Sequence, residues 1–238
     1  MVSYGKESII AIIPARGGSK RIPRKNVKLF CGKPILTYSI AAAKDSGLFD
    51  EIMVSTDDKE ISEIAQQYGA AVPFFRSAAA ADDYATITDV LLEVLEQYKQ
   101  LGKEFSYVCC IYPTAPFITS GHLITAVEQL TSSDADGILT VAEFPYPPMR
   151  GLVQKGPYME MKWPEYMFVR SQDLESMYQD CGQFFILRTA AFVQEKKILC
   201  DKLLPLILSG REVQDIDTEM DWQIAELKYE LLKKRCQL

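Results

Sequence analysis

Short, unbroken apolar runs alternate along this chain with longer stretches whose apolar residues recur at helical spacing. The first run, Ile9 to Ile13, reads as a strand buried on both faces, as in a parallel sheet. Pro34 then stands at the favoured first position of a helix that Gly47 stops. Glu51 to Ser55 is a second strand, and Asp57 or Asp58 caps a helix ending at Gly69. Ala71 to Phe75 reads as a shorter third strand. Ile87, Val90, Leu91 and Leu95 mark a helix over 86–101, closed by Gly102. Tyr107 to Tyr112 is a strongly apolar central strand, Thr119 to Leu130 another helix, and Gly137 to Val141 another strand. This alternation predicts an α/β fold with a doubly wound, mainly parallel sheet, in which ligands sit beyond the carboxyl ends of the strands.

The alternation breaks at residues 143–180. Pro145, Pro147, Pro148, Pro157 and Pro164 are interleaved there with Tyr146, Tyr158, Trp163, Tyr166 and Phe168. Proline suits sheet edges and turns, and aromatic surface of this density packs on something. The segment therefore reads as a protruding arm or lid. Gly182 to Leu187 is a return strand. A long final helix starts at Thr218, where Thr218 and Asp221 form a capping pattern, and Lys233-Lys234-Arg235 sit at its negative end. The length of 238 residues fits a single domain over 1–238 with 143–180 as its excursion.

Charge changes this picture. The chain carries a net charge of −6, yet residues 8–44 hold eight positive charges and no negative one. The core of that stretch is Ala15-Arg16-Gly17-Gly18-Ser19-Lys20-Arg21-Ile22-Pro23-Arg24-Lys25-Asn26, directly after the first strand. A cationic loop with glycines at a strand exit holds phosphates: Gly17 and Gly18 bring backbone N–H groups close to an anion, and Arg16, Lys20 and Lys25 neutralise its oxygens. A solvated basic face needs no such glycines. Neither G-x-x-x-x-G-K-[ST] nor G-x-G-x-x-G occurs, which excludes a Walker A loop and a dinucleotide fingerprint.

The remaining composition narrows the class. No apolar run is long enough to span a bilayer, and Met1 to Ser8 lack the apolar core of a signal peptide. The six cysteines form no C-x-x-C pair and read as reduced thiols of a cytoplasmic protein. His122, the single histidine, reads as a solvent-facing helix residue. The acidic balance argues against a nucleic-acid partner.

Ala15-Arg16, Ser19-Lys20, Ile22-Pro23 and Lys25-Asn26 match in order the opening of the cytidylyltransferases that activate nine-carbon sugar acids. The chain resembles that family, and the resemblance runs through its whole length. It implies a Rossmann-like nucleotidyltransferase fold, with Ala15, Arg16, Gly17, Ser19, Lys20, Lys25 and Asn26 on CTP. It adds Arg76 as a reader of the base and Asp83 in the loop that follows. Asp215-Ile216-Asp217 has two readings from the residues alone. On a strand the two carboxylates share a face and suit Mg²⁺; alternatively, Asp217 caps a helix. The family carries a metal-binding D-x-D there, followed by Thr and an acidic residue, as in Thr218-Glu219.

The finer matches concern the sugar. Tyr112-Pro113-Thr114-Ala115-Pro116 keeps the family's Pro-Thr-x-Pro frame, but Tyr112 and Ile118 stand where the sialic acid branch has Gln and Arg. Arg170-Ser171-Gln172-Asp173-Leu174 and Tyr178 to Phe185 follow the pseudaminic acid branch, except for Gln179 in place of His and Cys181 in place of Ala. The resemblance thus assigns Tyr112, Thr114, Arg170, Gln179, Gln183 and Phe185 to the sugar acid, with Arg170 on its carboxylate. Tyr112, Ile118, Phe184 and Phe185 are expected to make the pocket more apolar than a sialic acid site. The implied reaction is attack of the sugar's anomeric hydroxyl on the α-phosphorus of CTP, giving a CMP-sugar and pyrophosphate. Arg16, Lys25 and Asp217 would be its catalytic residues, Mg²⁺ its metal and a homodimer built through the arm its assembly. The alternatives are a sialic, legionaminic or deoxyoctulosonic acid synthetase, or a nucleotide-binding protein without turnover.

Overall fold

The structure is a computed structural model, and it describes residues 7–77, 80 and 85–236. Its centre is a six-stranded sheet in the order β10-β6-β9-β5-β1-β4. These strands are β1 (Ile9–Pro14), β4 (Glu51–Ser55), β5 (Tyr107–Ile111), β6 (Gly137–Glu143), β9 (Tyr178–Arg188) and β10 (Leu203–Ile207). β1 runs parallel to β4 and β5, and β10 parallel to β6. β9 is antiparallel and inserts between β5 and β6. The sheet is therefore mainly parallel, as the alternation predicts.

Helices cover both faces: α1 (Leu36–Ser46), α2 (Lys59–Gln67), α3 (Ile87–Gln100), α4 (Ser120–Thr131), α5 (Thr189–Glu195) and α6 (Glu219–Cys236). Because side chains alternate along a strand, β1 feeds two cores. Ile9, Ala11 and Ile13 pack under α1 and α4, whereas Ile10 and Ile12 pack under α3 with Leu91, Val94 and Tyr98. Local capping chemistry sets the helix starts. Asp58 accepts from the Ile61 N–H, and Thr86 with Asp89, like Thr218 with Asp221, forms a reciprocal capping box.

Three local readings differ from the sequence. Pro34 lies in a miniature hairpin, β2 (Leu29–Phe30) with β3 (Lys33–Pro34), and the helix opens after it. Cys31 and Gly32 turn that hairpin with φ of 44° and 92°, a pair of left-handed residues as a two-residue turn requires. Ala71 to Phe75 contributes only an isolated parallel bridge between Ala71 and Met53. His122 is half-buried: its Nδ1 accepts from the Thr119 N–H, Glu212 lies 3.8 Å from Nε2, and burial lowers its pKa.

The excursion contains the hairpin β7 (Leu152–Lys155) with β8 (Tyr158–Met161) and three single 3₁₀ turns. Apart from the buried Met149, many of its large apolar residues are solvent-facing, with Phe168 93% and Tyr146 83% exposed. On the chain's return, β9 is irregular where it meets β6: Asp180 pairs with Val141 and Phe185 with Leu139. The extra β9 residues include Gly182 at φ 63°, and the buried Thr140 hydroxyl bonds both backbone groups of Phe184. This bulge carries Asp180 and Gln183 to the carboxyl end of β5.

Candidate active site

The basic loop leaves β1 where parallel strands end. The Ala15 N–H continues the sheet by donating to the Ser55 carbonyl at 2.9 Å. The Gly17 N–H donates to Asp57 Oδ1 at 2.8 Å. A Cβ on Gly17 would stand 2.7 Å from Asp58 Oδ2, so the position requires glycine because the chains approach closely. Gly17→Ala is expected to raise the KM for CTP roughly tenfold, the loop shifting by the overpacked methyl. Steady-state kinetics against CTP check this, and an unchanged KM would show that the loop yields freely. Asn26 is buried, and its side-chain amide donates to the Arg16 carbonyl at 2.9 Å. It holds the loop rather than facing solvent.

The two motifs nearly 200 residues apart meet through a shared core. Ile22 of the loop and Ile216 of the D-x-D are both fully buried with Phe30, Phe117, Trp222 and Ala225 beneath α6. Lys28 adds an ion pair to Glu219 at 2.6 Å and lies over the Trp222 ring. The 211–218 segment is not a strand. With Ile216 turned into the core, Asp215 and Asp217 flank it and remain accessible. Lys25 Nζ donates to the Ile216 carbonyl at 2.6 Å and lies 3.6 Å from Asp217 Oδ1, which Arg21 pairs at 2.6 Å. Burial, and then the charge of Asp217, raise the Asp215 pKa. Arg21 was not singled out by the motif; its place beside Asp217 depends on packing that leaves no local trace.

The donor set fits Mg²⁺. Among the described residues no group of three or more His, Cys, Asp and Glu side chains forms a metal cage. Mg²⁺ bound through one or two carboxylates, with nucleotide phosphates and water completing its shell, does not need one. Two neighbouring carboxylates, the Asp215 pKa raised by burial and then by the charge of Asp217, are such a pair.

A cavity of about 370 Å³ lies over this junction, lined by Pro14, Arg16, Ser19, Lys20, Arg21, Ile22, Lys25, Asn26, Tyr112, Pro113 and Thr114. It gathers most of the residues assigned to CTP and two assigned to the sugar. A larger cavity of about 730 Å³, lined by Tyr107, Arg188 and α3 residues, lies at the opposite end of the strands, where β5 begins, away from these groups. Arg76 is close by but partly spent: it donates to the Ser55 carbonyl at 2.8 Å and the Ser55 hydroxyl at 3.2 Å, and burial lowers its pKa. Gln183 is 1% exposed; its amide donates to the Cys181 carbonyl and its Oε1 has no partner. Arg170 is on the arm, paired with Asp173 at 2.7 Å, and Gln179 is exposed on β9 opposite Ala142. Asp83 lies outside the described residues. Phe185, Phe184 and Ile118 do not form a pocket surface: all three are core residues, Phe185 touching Tyr112 edge-on. Of the apolar shifts expected at the sugar site, only Tyr112 lines the cavity.

A cationic loop at a strand exit, faced by two carboxylates across one lysine, is the layout of an α/β enzyme that transfers a nucleotidyl group. A family model described as Cytidylyltransferase matches residues 10–195. The chain belongs to the cytidylyltransferase family. It is 39% identical over 228 residues to the pseudaminic acid cytidylyltransferase of Campylobacter jejuni, spanning 93% of this chain and 96% of the relative. It is 34% identical to the CMP-N,N'-diacetyllegionaminic acid synthase of Legionella pneumophila, spanning 94% and 97%. A solved structure of CMP:2-keto-3-deoxy-manno-octonic acid synthetase complexed with CTP superposes with a TM-score of 0.67 at 16% identity, covering 95% of this chain and 99% of that one, which shows the shared fold.

Proposed function

We propose that this cytidylyltransferase moves CMP from CTP to the anomeric hydroxyl of a nonulosonic acid, pseudaminic acid first, and releases pyrophosphate. The observation that carries the reading is the junction at Lys25: one ammonium group joins the phosphate loop to the Asp215–Asp217 pair. Transfer of this kind depends on positioning and on neutralising charge around the reacting phosphorus. Arg16, Lys20 and Lys25 would hold the phosphates, and Asp215 and Asp217 would hold Mg²⁺, which would supply further neutralisation of the phosphate charge.

The arm is the proposed homodimer contact. Its exposed Tyr146, Tyr158 and Phe168 need cover, and Arg170, remote from this chain's own cavity, would serve the partner's sugar carboxylate. No helix among the described residues is long and apolar enough to cross a membrane. The free thiols of Cys31, Cys109, Cys110, Cys181 and Cys200 and the proposed use of CTP support a cytoplasmic location.

The test is CTP-dependent pyrophosphate release over a panel of pseudaminic, legionaminic, sialic and deoxyoctulosonic acids. Pseudaminic acid is expected to be used best. With Tyr112 alone altering the cavity surface, the preference over sialic acid is about 10²-fold in kcat/KM, since an apolar wall rejects an added hydroxyl only weakly. Faster turnover of sialic acid would overturn the sugar assignment and leave the cytidylyl transfer intact.

A further inference from the structure

The loop segment between Gly17 and Arg24 is tied at both ends to the Asp57–Asp58 corner: Gly17 bonds Asp57 and packs on Asp58, and Arg24 bonds Asp58. At one end the Gly17 N–H donates to Asp57 Oδ1 at 2.8 Å, and Asp58 fills the space where a Gly17 side chain would stand. At the other end Arg24, held at a left-handed φ of 56°, forks onto both oxygens of Asp58 and pairs with Glu60. Asp58 is itself fixed as the N-cap of α2, accepting from the Ile61 N–H at 3.0 Å. Between the anchors lie Ser19, Lys20 and Arg21, which line the cavity.

We propose that Asp57 and Asp58 are positioning residues that close the 17–24 loop into a ring and thereby aim its cations and amides at the triphosphate. This rests on the reading of the loop as the CTP phosphate site. Neither carboxylate suits direct contact with a polyanion, so their effect passes through the loop. Asp57 has a second duty: its charge opposes that of Arg16 at Arg76, where two arginines converge. The hydrogen bond from Arg24 in turn holds the Asp58 carboxyl below its ordinary pKa.

The physical consequence separates this role from a structural one. Exposed ion pairs contribute little to global stability. Ordering a loop before its ligand arrives, however, removes that cost from binding. Loss of the ring should therefore appear in the KM for CTP and not in the thermal midpoint or kcat.

The experiment compares the full chain with Asp57→Ala, Asp57→Asn, Asp58→Asn, Arg24→Gln and the Asp58→Asn/Arg24→Gln double variant. Lys103→Ala, which breaks the distant Lys103–Glu51 pair, is the control. Asn at 58 retains a good N-cap, so α2 stays intact. Asp57→Ala is expected to raise the KM for CTP roughly tenfold with kcat within about twofold, and Asp57→Asn, which keeps an acceptor for Gly17, to restore most of it. Asp58→Asn, Arg24→Gln and their double should share one KM increase, because each opens the same ring. Amide hydrogen exchange of residues 17–22 should quicken in these variants and nowhere else. An unchanged KM in Asp57→Ala, a loss confined to kcat, additive Asp58 and Arg24 effects, or unaltered exchange in the loop would each overturn the proposal. Wild-type protein that releases no pyrophosphate from CTP would instead remove the functional reading, while exchange still decides whether the carboxylates hold the loop.

Discussion

Asp217→Asn and Asp215→Asn are each expected to lower kcat by roughly 10²–10³ while the protein stays folded, the scale of losing one electrostatic element of a transfer site. The substitution keeps the side chain's shape and removes its charge. At 217 it also strips Arg21 of its 2.6 Å partner and leaves Lys25 anchored only by the Ile216 carbonyl. At 215 it relieves a like-charge neighbour, so Asp215→Asn should not lower stability, because the folded state already raises that carboxyl's pKa. Loss of turnover without loss of stability is the signature to look for. Pyrophosphate release titrated with Mg²⁺, beside a thermal melt, checks both variants. Near-normal Mg²⁺-dependent turnover in the pair would remove the metal assignment.

Lys25→Ala is expected to lower kcat/KM for CTP by roughly 10²-fold, and Lys44→Ala to leave it within about twofold. Both lysines belong to the same positive stretch, so a diffuse field would make them equivalent. Their surroundings differ. Lys25 is half-buried between the loop and the D-x-D, and its ammonium bonds Ile216 and neighbours Asp217. Removing it takes a charge from a desolvated phosphate site and cuts the link between the two motifs. Lys44 is exposed at the end of α1 and donates to the Tyr68 carbonyl at 3.0 Å, far from the cavity. Kinetics of the two variants at a single ionic strength decide the matter, and equal effects would mean that the cluster acts only as a field.

Much of the fold was legible because its signals are local. The Ile9–Ile13 run, the caps at Asp58 and Thr218, and the glycine stops each act within a few residues. The structure shows each where the pattern puts it. The cationic loop was legible for the same reason: charge, glycines and the strand exit are contiguous. Pro34 misled because a proline serves a hairpin strand as well as a helix start, and only the left-handed turn at Cys31 and Gly32 decides between them.

The sequence by itself determined the α/β class and the place of the cationic loop at the exit of the first strand, and it left two readings open for Asp215 and Asp217. Tertiary structure alone decided how those parts meet. β9 enters antiparallel between β5 and β6, and its bulge is made tolerable by the hydroxyl of Thr140, about forty residues upstream. Asp215 and Asp217 share access because Ile216 is drawn into the core with Ile22 and Trp222 rather than because they lie on a strand. Phe184, Phe185 and Ile118 went inward for the same reason. The cause is common to all three: burying apolar area is non-directional and acts between segments far apart in the chain, so it chooses which side of a motif faces the site without writing that choice into neighbouring residues.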